Sequence, residues 1–229
     1  ARAHPVAGCP DLPEHERWAA RASRLERQVR GLERRIRART ETLARQFDRV
    51  LRVLESLGYV QDFTITERGQ DLARIYGEGD ILIAEALAEG VFDDVSPAGL
   101  AALLSTLVYE SRERYPRAVE MPTAELRGRF LRMQALWRRI RRTEEQHQVE
   151  LCRELDAGFA PAAFHWAEGK SLDDALVETQ MAPGDFVRTC KQLLDALRQV
   201  ESVASPETAA AATAAHAAIR RGVVAYTGL

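Results

Sequence analysis

The sequence predicts an all-α protein: a helical bundle with a small β-hairpin inserted in it and a long N-terminal helix. Three observations carry that prediction. Apolar residues recur at helical spacing along most of the 229 residues. Serine, threonine or proline opens run after run, where a helix needs a cap or a residue without an amide. One stretch, YVQDFTIT from Tyr59 to Thr66, is short and β-branched enough for a strand or tight hairpin. At 46% hydrophobic, the chain can bury a substantial core.

The elements follow in order. Residues 1–12 hold prolines and a glycine without a period and read as an irregular leader. From Pro13, Trp18, Ala22, Leu25, Val29, Leu32 and Ile36 form the heptad stripe of a helix facing one partner. Leu43, Phe47, Val50, Leu54 and Leu57 continue it after an extra step of four, which places a boundary near Thr40 and divides the chain into 13–42 and 43–229. Gly58 ends the helix and the hairpin follows. Thr66 caps the next helix with Gly69 in its first turn, and residues 71–77 and 80–90 read as two short helices divided by Gly77-Glu78-Gly79, with Asp80 as cap of the second. Ser96-Pro97 starts a helix that is apolar almost all round and belongs in the core. A break from Tyr115-Pro116 to Pro122 separates it from a helix carrying Leu126, Phe130, Met133, Trp137 and Ile140. Helices are then predicted over 161–168, 171–179, 185–203 and 206–225.

Net charge is −2, but its distribution is uneven. Between Glu14 and Arg52 stand 12 Arg against 6 acids, whereas Val53–Glu125 has 14 acids against 5 Arg. The basic stretch is either a solvated helix face or a nucleic-acid contact. Three cysteines are too few for a disulfide framework. No apolar run reaches the roughly 18 residues of a membrane span, and no signal-peptide pattern opens the chain. The expectation is a soluble, cytoplasmic monomer.

Chemical motifs are sparse. Gly169-Lys170-Ser171 lacks the first glycine of a phosphate loop, Phe164 standing in its place, so Lys170 reads as a loop residue and Ser171 as a helix cap. Glu144 and His147 have the spacing of a di-iron pair, without a second such pair, and read as a partly buried polar layer. His4 and Cys9 are two ligands where zinc needs four. No nucleophile, paired carboxylates or metal set indicates an enzyme in this chain alone. The polar face that looks purposeful lies on the helix from Asp185. Opposite a buried stripe of Phe186, Cys190, Leu193, Leu197 and Val200 stand Arg188, Gln192, Asp195 and Gln199, with Lys191 beside them. Arg, Gln and Asp on one face can bond the bases and phosphates of a passing single strand, or simply face solvent.

Several ordered blocks carry a resemblance: ITERGQDLARIY, EALAEGVFDD, SPAGLAALLSTLVYE, FHWAEG and GDFVRTCKQLLDALRQV. Together they resemble the C-terminal helical DSHCT domain of exosome-type RNA helicases, in the HelY-like bacterial branch. The resemblance implies a fragment of an ATP-dependent RNA helicase whose RecA-like motor domains, with their ATP and Mg, lie outside this chain; no cofactor is expected in the chain itself. It implies that residues 13–42 are the descending limb of an arch stalk, and that 185–203 is a ratchet helix across the RNA channel. Its RNA contacts carry over onto Gln192 and Asp195, with Arg188 and Lys191 as neighbours; eukaryotic relatives have arginine and glutamate where Gln192 and Asp195 stand. The partners so implied are single-stranded RNA, the motor domains and an RNA-degradation complex. Two other readings stay open: a helical protein-interaction module, and a DNA-binding regulator using Phe47–Arg74 as a winged helix.

Overall fold

The computed structural model describes residues 9–77, 79–111, 120–177 and 181–226, apart from the side chains of 27 and 33–41. The first eight residues, the Ile36 side chain, the Tyr115-Pro116 break and the end of the helix read to Thr179 lie outside the described residues. The chain forms two compact units, Ala1–Val50 and Leu51–Leu229. Among the described residues the only strands are the two of the hairpin, and no helix is long and apolar enough to cross a membrane. The fold is all-α.

One helix, α1 (Leu12–Ser56), runs 45 residues without a break at Thr40. Its heptad stripe is exposed at Trp18, Leu25, Val29, Leu32, Leu43 and Phe47 and half-buried at Val50 and Leu54. At Gly58 the helix closes by a Schellman turn, in which Gly58 (φ 78°) donates to the Glu55 carbonyl and Tyr59 to that of Leu54. The chain then enters strands β1 (Val60–Gln61) and β2 (Thr64–Ile65), paired antiparallel with Val60 opposite Ile65. The two loop residues, Asp62 and Phe63, both have positive φ, as the tightest right-twisted hairpin turn demands.

Thr66 accepts from the Gly69 amide at 3.1 Å and so starts α2 (Glu67–Leu72). This helix spans 67–72 instead of the expected 71–77. Its end tightens into i→i−3 bonds, Arg74 donating to the Asp71 carbonyl and Ile75 to that of Leu72, and the Tyr76 amide beyond them donates to Gln199 Oε1 at 2.9 Å. Helix α3 (Asp80–Ala88) is capped by Gly79 and not by Asp80, whose carboxylate sits inside the first turn and accepts from Ile81 at 2.6 Å. Ser96 and Pro97 open α4 (Pro97–Val108) as expected, and Gly99 through Leu107 are all buried. The buried hydroxyls of Ser105 and Thr106 bond back to Ala102 and Leu103 at 2.7 Å, so this central helix hides no unpaired hydroxyl. Helix α5 (Ala124–Gln146) is capped by Thr123.

After a 3₁₀ turn at Ala157–Phe159 come α6 (Ala160–Ala167), α7 (Leu172–Leu176), α8 (Pro183–Val203), α9 (Pro206–Ile219) and α10 (Gly222–Ala225). The last two were expected as one helix over 206–225. They part because the Ile219 carbonyl accepts from the Trp166 indole at 2.9 Å, and Gly222 takes φ 47°. Arg221 then lies over the Trp166 ring, 3.5 Å from its centroid, and bonds the carbonyls of Trp166 and Lys170. In the core α4 packs against α6, α8 and α9, and α3 against α5. Phe159 stacks on Tyr109 and tilts against Phe186, whose edge meets Trp166 at 5.3 Å.

Glu85 of α3 ties the second unit together. Its buried carboxylate accepts from Tyr59 (2.5 Å), Arg68 (2.6 Å) and Arg139 (2.6 Å). Burial, and then the Glu85 carboxylate beside it, raise the Tyr59 phenol well above its ordinary 10.0. The raised value means that the stability this phenol contributes is full below about pH 10 and is lost as pH climbs beyond it. Glu85→Ala should cost about 2–3 kcal/mol, because it strands a buried phenol and two arginines that water still reaches; urea unfolding measures it. In Gly69→Ala a new Cβ would meet the Tyr59 carbonyl oxygen at a distance no heavy atom tolerates, and Ile65 Cγ2 at 2.7 Å. A loss of about 2–3 kcal/mol is expected, read by calorimetry as a Tm roughly 4–12 °C lower.

Candidate nucleic-acid interface

Helix α8 has a sharply divided surface. Phe186, Cys190, Leu193, Leu197 and Val200 are each fully buried, with Val187 and Leu194 half-buried at the margins. On the other side Arg188, Lys191, Gln192 and Asp195 are all exposed. The sequence places these four correctly on one face, and the structure leaves that face open. The helix starts with Pro183 at its first position, and Asp185 sits in the first turn, where the helix dipole favours a negative charge. Asp185 also meets Arg188 at 3.0 Å, an exposed pair of small energetic weight that holds the guanidinium near the helix.

Gln199, the fourth member of the expected stripe, has a different task. It is half-buried, and its side-chain oxygen is taken by the Tyr76 amide. Sequence reasoning missed the cations on the opposite margin of α8. Lys191, Leu194, Asp195 and Arg198 share a shallow groove with Arg220, Val224 and Ala225. Arg198 is one turn from Asp195 and could have been found by helical spacing. Arg220 could not, because only the packing of α10 on α8 brings it there.

Behind this groove lies His216 of α9, whose Nε2 is buried without a partner. Burial, then the charges of Arg198 and Arg220, lower its pKa below the ordinary 6.5; Glu201 and Asp195 act the other way. A depressed value means that the folded state resists protonation. The stability His216 contributes is therefore present above about pH 6.5 and lost as pH falls below it. Equilibrium unfolding followed from pH 7.5 to pH 5 should show this loss, and His216→Gln should flatten it.

The other motifs are structural. The amides of Gly169 and Lys170 are spent on the carbonyls of Trp166 and His165, closing α6, and the Ser171 hydroxyl caps α7 at Asp174. Those groups are committed to helix ends instead of a phosphate. Glu144 is fully buried and accepts from the Cys152 amide (2.9 Å) and Arg141 (2.8 Å), while His147 Nε2 lies 3.1 Å from the Ser56 hydroxyl. Cys9 Sγ lies 3.7 Å from His15 Nδ1, and His4 is outside the described residues. Among the described residues no cluster of three metal-ligating side chains occurs. In the segment after the hairpin, where a winged helix needs free cations, Arg68 is engaged by Glu85.

The profile of the DSHCT (NUC185) domain matches residues 62–227, from the hairpin turn through α10. The chain belongs to the DSHCT domain family. This DSHCT chain is 38% identical over 240 residues to "Probable helicase HelY" of Mycobacterium tuberculosis (strain ATCC 25618 / H37Rv), covering 98% of this chain and 26% of that protein. It is 26% identical over 208 residues to "ATP-dependent RNA helicase mtr4" of Schizosaccharomyces pombe (strain 972 / ATCC 24843), covering 88% of this chain and 18% of the relative. It is 25% identical over 206 residues to "Exosome RNA helicase MTR4" of Homo sapiens, covering 86% and 19%. The chain thus spans about a quarter of the length of the curated HelY relatives it matches.

Proposed function

We propose that this DSHCT chain is the C-terminal, RNA-path part of an ATP-dependent RNA helicase, with α8 as the helix along which single-stranded RNA passes. The observation that carries the reading is the division of α8. Five fully buried apolar residues fix the helix in the bundle, and Arg188, Lys191, Gln192 and Asp195 are left exposed on its outer face. A rigid helix presenting amide, carboxylate and cationic groups suits repeated, sequence-tolerant contact with a moving strand. The names of the relatives supply the reaction class, since those proteins are called helicases and two are called RNA helicases.

In this reading RecA-like motor domains elsewhere in the parent protein bind ATP and Mg and supply the force. The residues of α8 act on the strand. Gln192 and Asp195 bond base edges between strokes, and Arg188 and Lys191 bond phosphates, so that the strand slips back less readily than it advances. Residues 13–42 form one limb of an arch stalk, and the exposed stripe from Trp18 to Leu32 would rest against the other limb. Residues 43–229 form the bundle, after a leader at 1–12. The parent works in the cytoplasm as a monomer and delivers RNA to a degradation complex.

Replacing Arg188, Gln192 and Asp195 together by alanine in the full-length protein should slow unwinding of a 3′-tailed RNA duplex about tenfold or more, with Tm shifted by no more than about 2 °C, since exposed positions carry little stability. Unwinding at the wild-type rate would exclude α8 from the RNA path. Salt dependence of RNA binding should be shallow on the α8 side. With Arg188, Lys191, Arg198 and Arg220 as its cations, at roughly 0.7 per phosphate contact, the log–log slope from this face is no steeper than about −3.

A further inference from the structure

We infer that Tyr76 is a base-stacking residue at the C-terminal end of the α8 face, holding an unpaired base of single-stranded nucleic acid; the inference rests on the RNA-path reading above. Tyr76 lies in the connection between α2 and α3, and the residue is 74% exposed. The residue before it, Ile75, is buried at 4% exposure in the core. The backbone leading into the ring is thus anchored twice, by the buried Ile75 side chain and by the bond from the Tyr76 amide to Gln199 Oε1.

Gln199 follows Arg188, Gln192 and Asp195 at helical spacing on α8, about 17 Å along the axis from Arg188 at 1.5 Å per residue. Its amide oxygen is spent on positioning the backbone that carries an aromatic ring. The row of polar groups therefore ends in a ring held within one side-chain length of its last member. Phe63 at the hairpin tip and Tyr226 are exposed as well, but Tyr76 is singled out by its tether to this row. A burial role does not explain the ring, because most of it stays in water. A stacking role does, since a base offers a π-face whatever its identity, and a ring on a pinned backbone loses little freedom when it binds. The stack would complement the contacts of Gln192 and Asp195 by gripping the strand without reading its sequence.

The test uses the full-length protein and a short single-stranded RNA carrying one 2-aminopurine, moved along the strand position by position. Wild-type protein should quench the probe at one position, and Tyr76→Ala should abolish that quenching and weaken binding about tenfold or more. Tyr76→Phe should keep both, because the ring and not the hydroxyl makes the stack. An abasic nucleotide at the quenched position should weaken binding to the wild type and leave Tyr76→Ala binding unchanged, the non-additivity expected of partners in contact. The salt slope should stay the same in Tyr76→Ala. If Tyr76→Ala binds as the wild type while the Arg188, Gln192 and Asp195 alanine variant is weakened, the stacking inference falls and the RNA path stands. If both variants bind as the wild type, the RNA-path reading falls and takes the inference with it. A Tyr76→Phe protein as weak as Tyr76→Ala would also overturn stacking.

Discussion

The second unit is organised around one buried charge. Glu85 stands on α3 between the end of α1, the hairpin and α2 on one side and α5 on the other, and its two oxygens bind Tyr59, Arg68 and Arg139. Burying a carboxylate at that depth is costly, and its three donors together offset the cost. Tyr59 can reach it only because Gly58 turns the chain at the end of α1. Arg68 can reach it only because the Thr66 cap and the side-chain-free Gly69 let α2 lie against the Tyr59 carbonyl. A single carboxylate thereby sets the geometry of the hairpin, both short helices and the long helix α5.

The same economy recurs at the helix ends. Arg129 and Arg132 of α5 bond the carbonyls of Val91 and Glu89 just past α3, and Arg139 adds a second contact to Glu89. Arg153 bonds the carbonyls of Leu107 and Tyr109 at the end of α4. Positive groups at carbonyl-rich ends satisfy acceptors the helices leave open and oppose the helix dipole. Many arginines of this chain are therefore structural, and the number of cations available to a nucleic acid is smaller than the composition suggests. On α8 the situation differs. Its hydrophobic side is locked against Phe159, Trp166 and α4, and its polar side is left to solvent.

Local signals in the sequence were reliable where the cause is local. A serine or threonine three residues before an amide caps a helix wherever the chain permits, and Thr66, Ser96, Thr123, Ser171 and Ser205 all do so. The apolar run after Pro97 could only be buried, and the buried stripe of α8 follows directly from its period. Two of the misses involve groups far away in the chain. Past the tightened end of α2, a glutamine 123 residues away takes the Tyr76 amide that a helix running to Gly77 would have used. The final helix breaks because a tryptophan 53 residues upstream takes the Ile219 carbonyl. Neither competitor leaves a trace in the local pattern.

The sequence by itself determined where most of the helices lie, several of their caps, the hairpin, and which faces of the central helices turn inward, because each depends on periodicity and on hydrogen bonds that span a few residues. It also carried the family resemblance and placed Arg188, Lys191, Gln192 and Asp195 on one face. Only the tertiary structure decided what surrounds that face: that Gln199 is withdrawn from it to hold Tyr76 and that Arg198 and Arg220 line a groove beside it; it alone also decided that Glu85 gathers Tyr59, Arg68 and Arg139. Those outcomes depend on which distant donor reaches an acceptor first, and that competition is settled by packing.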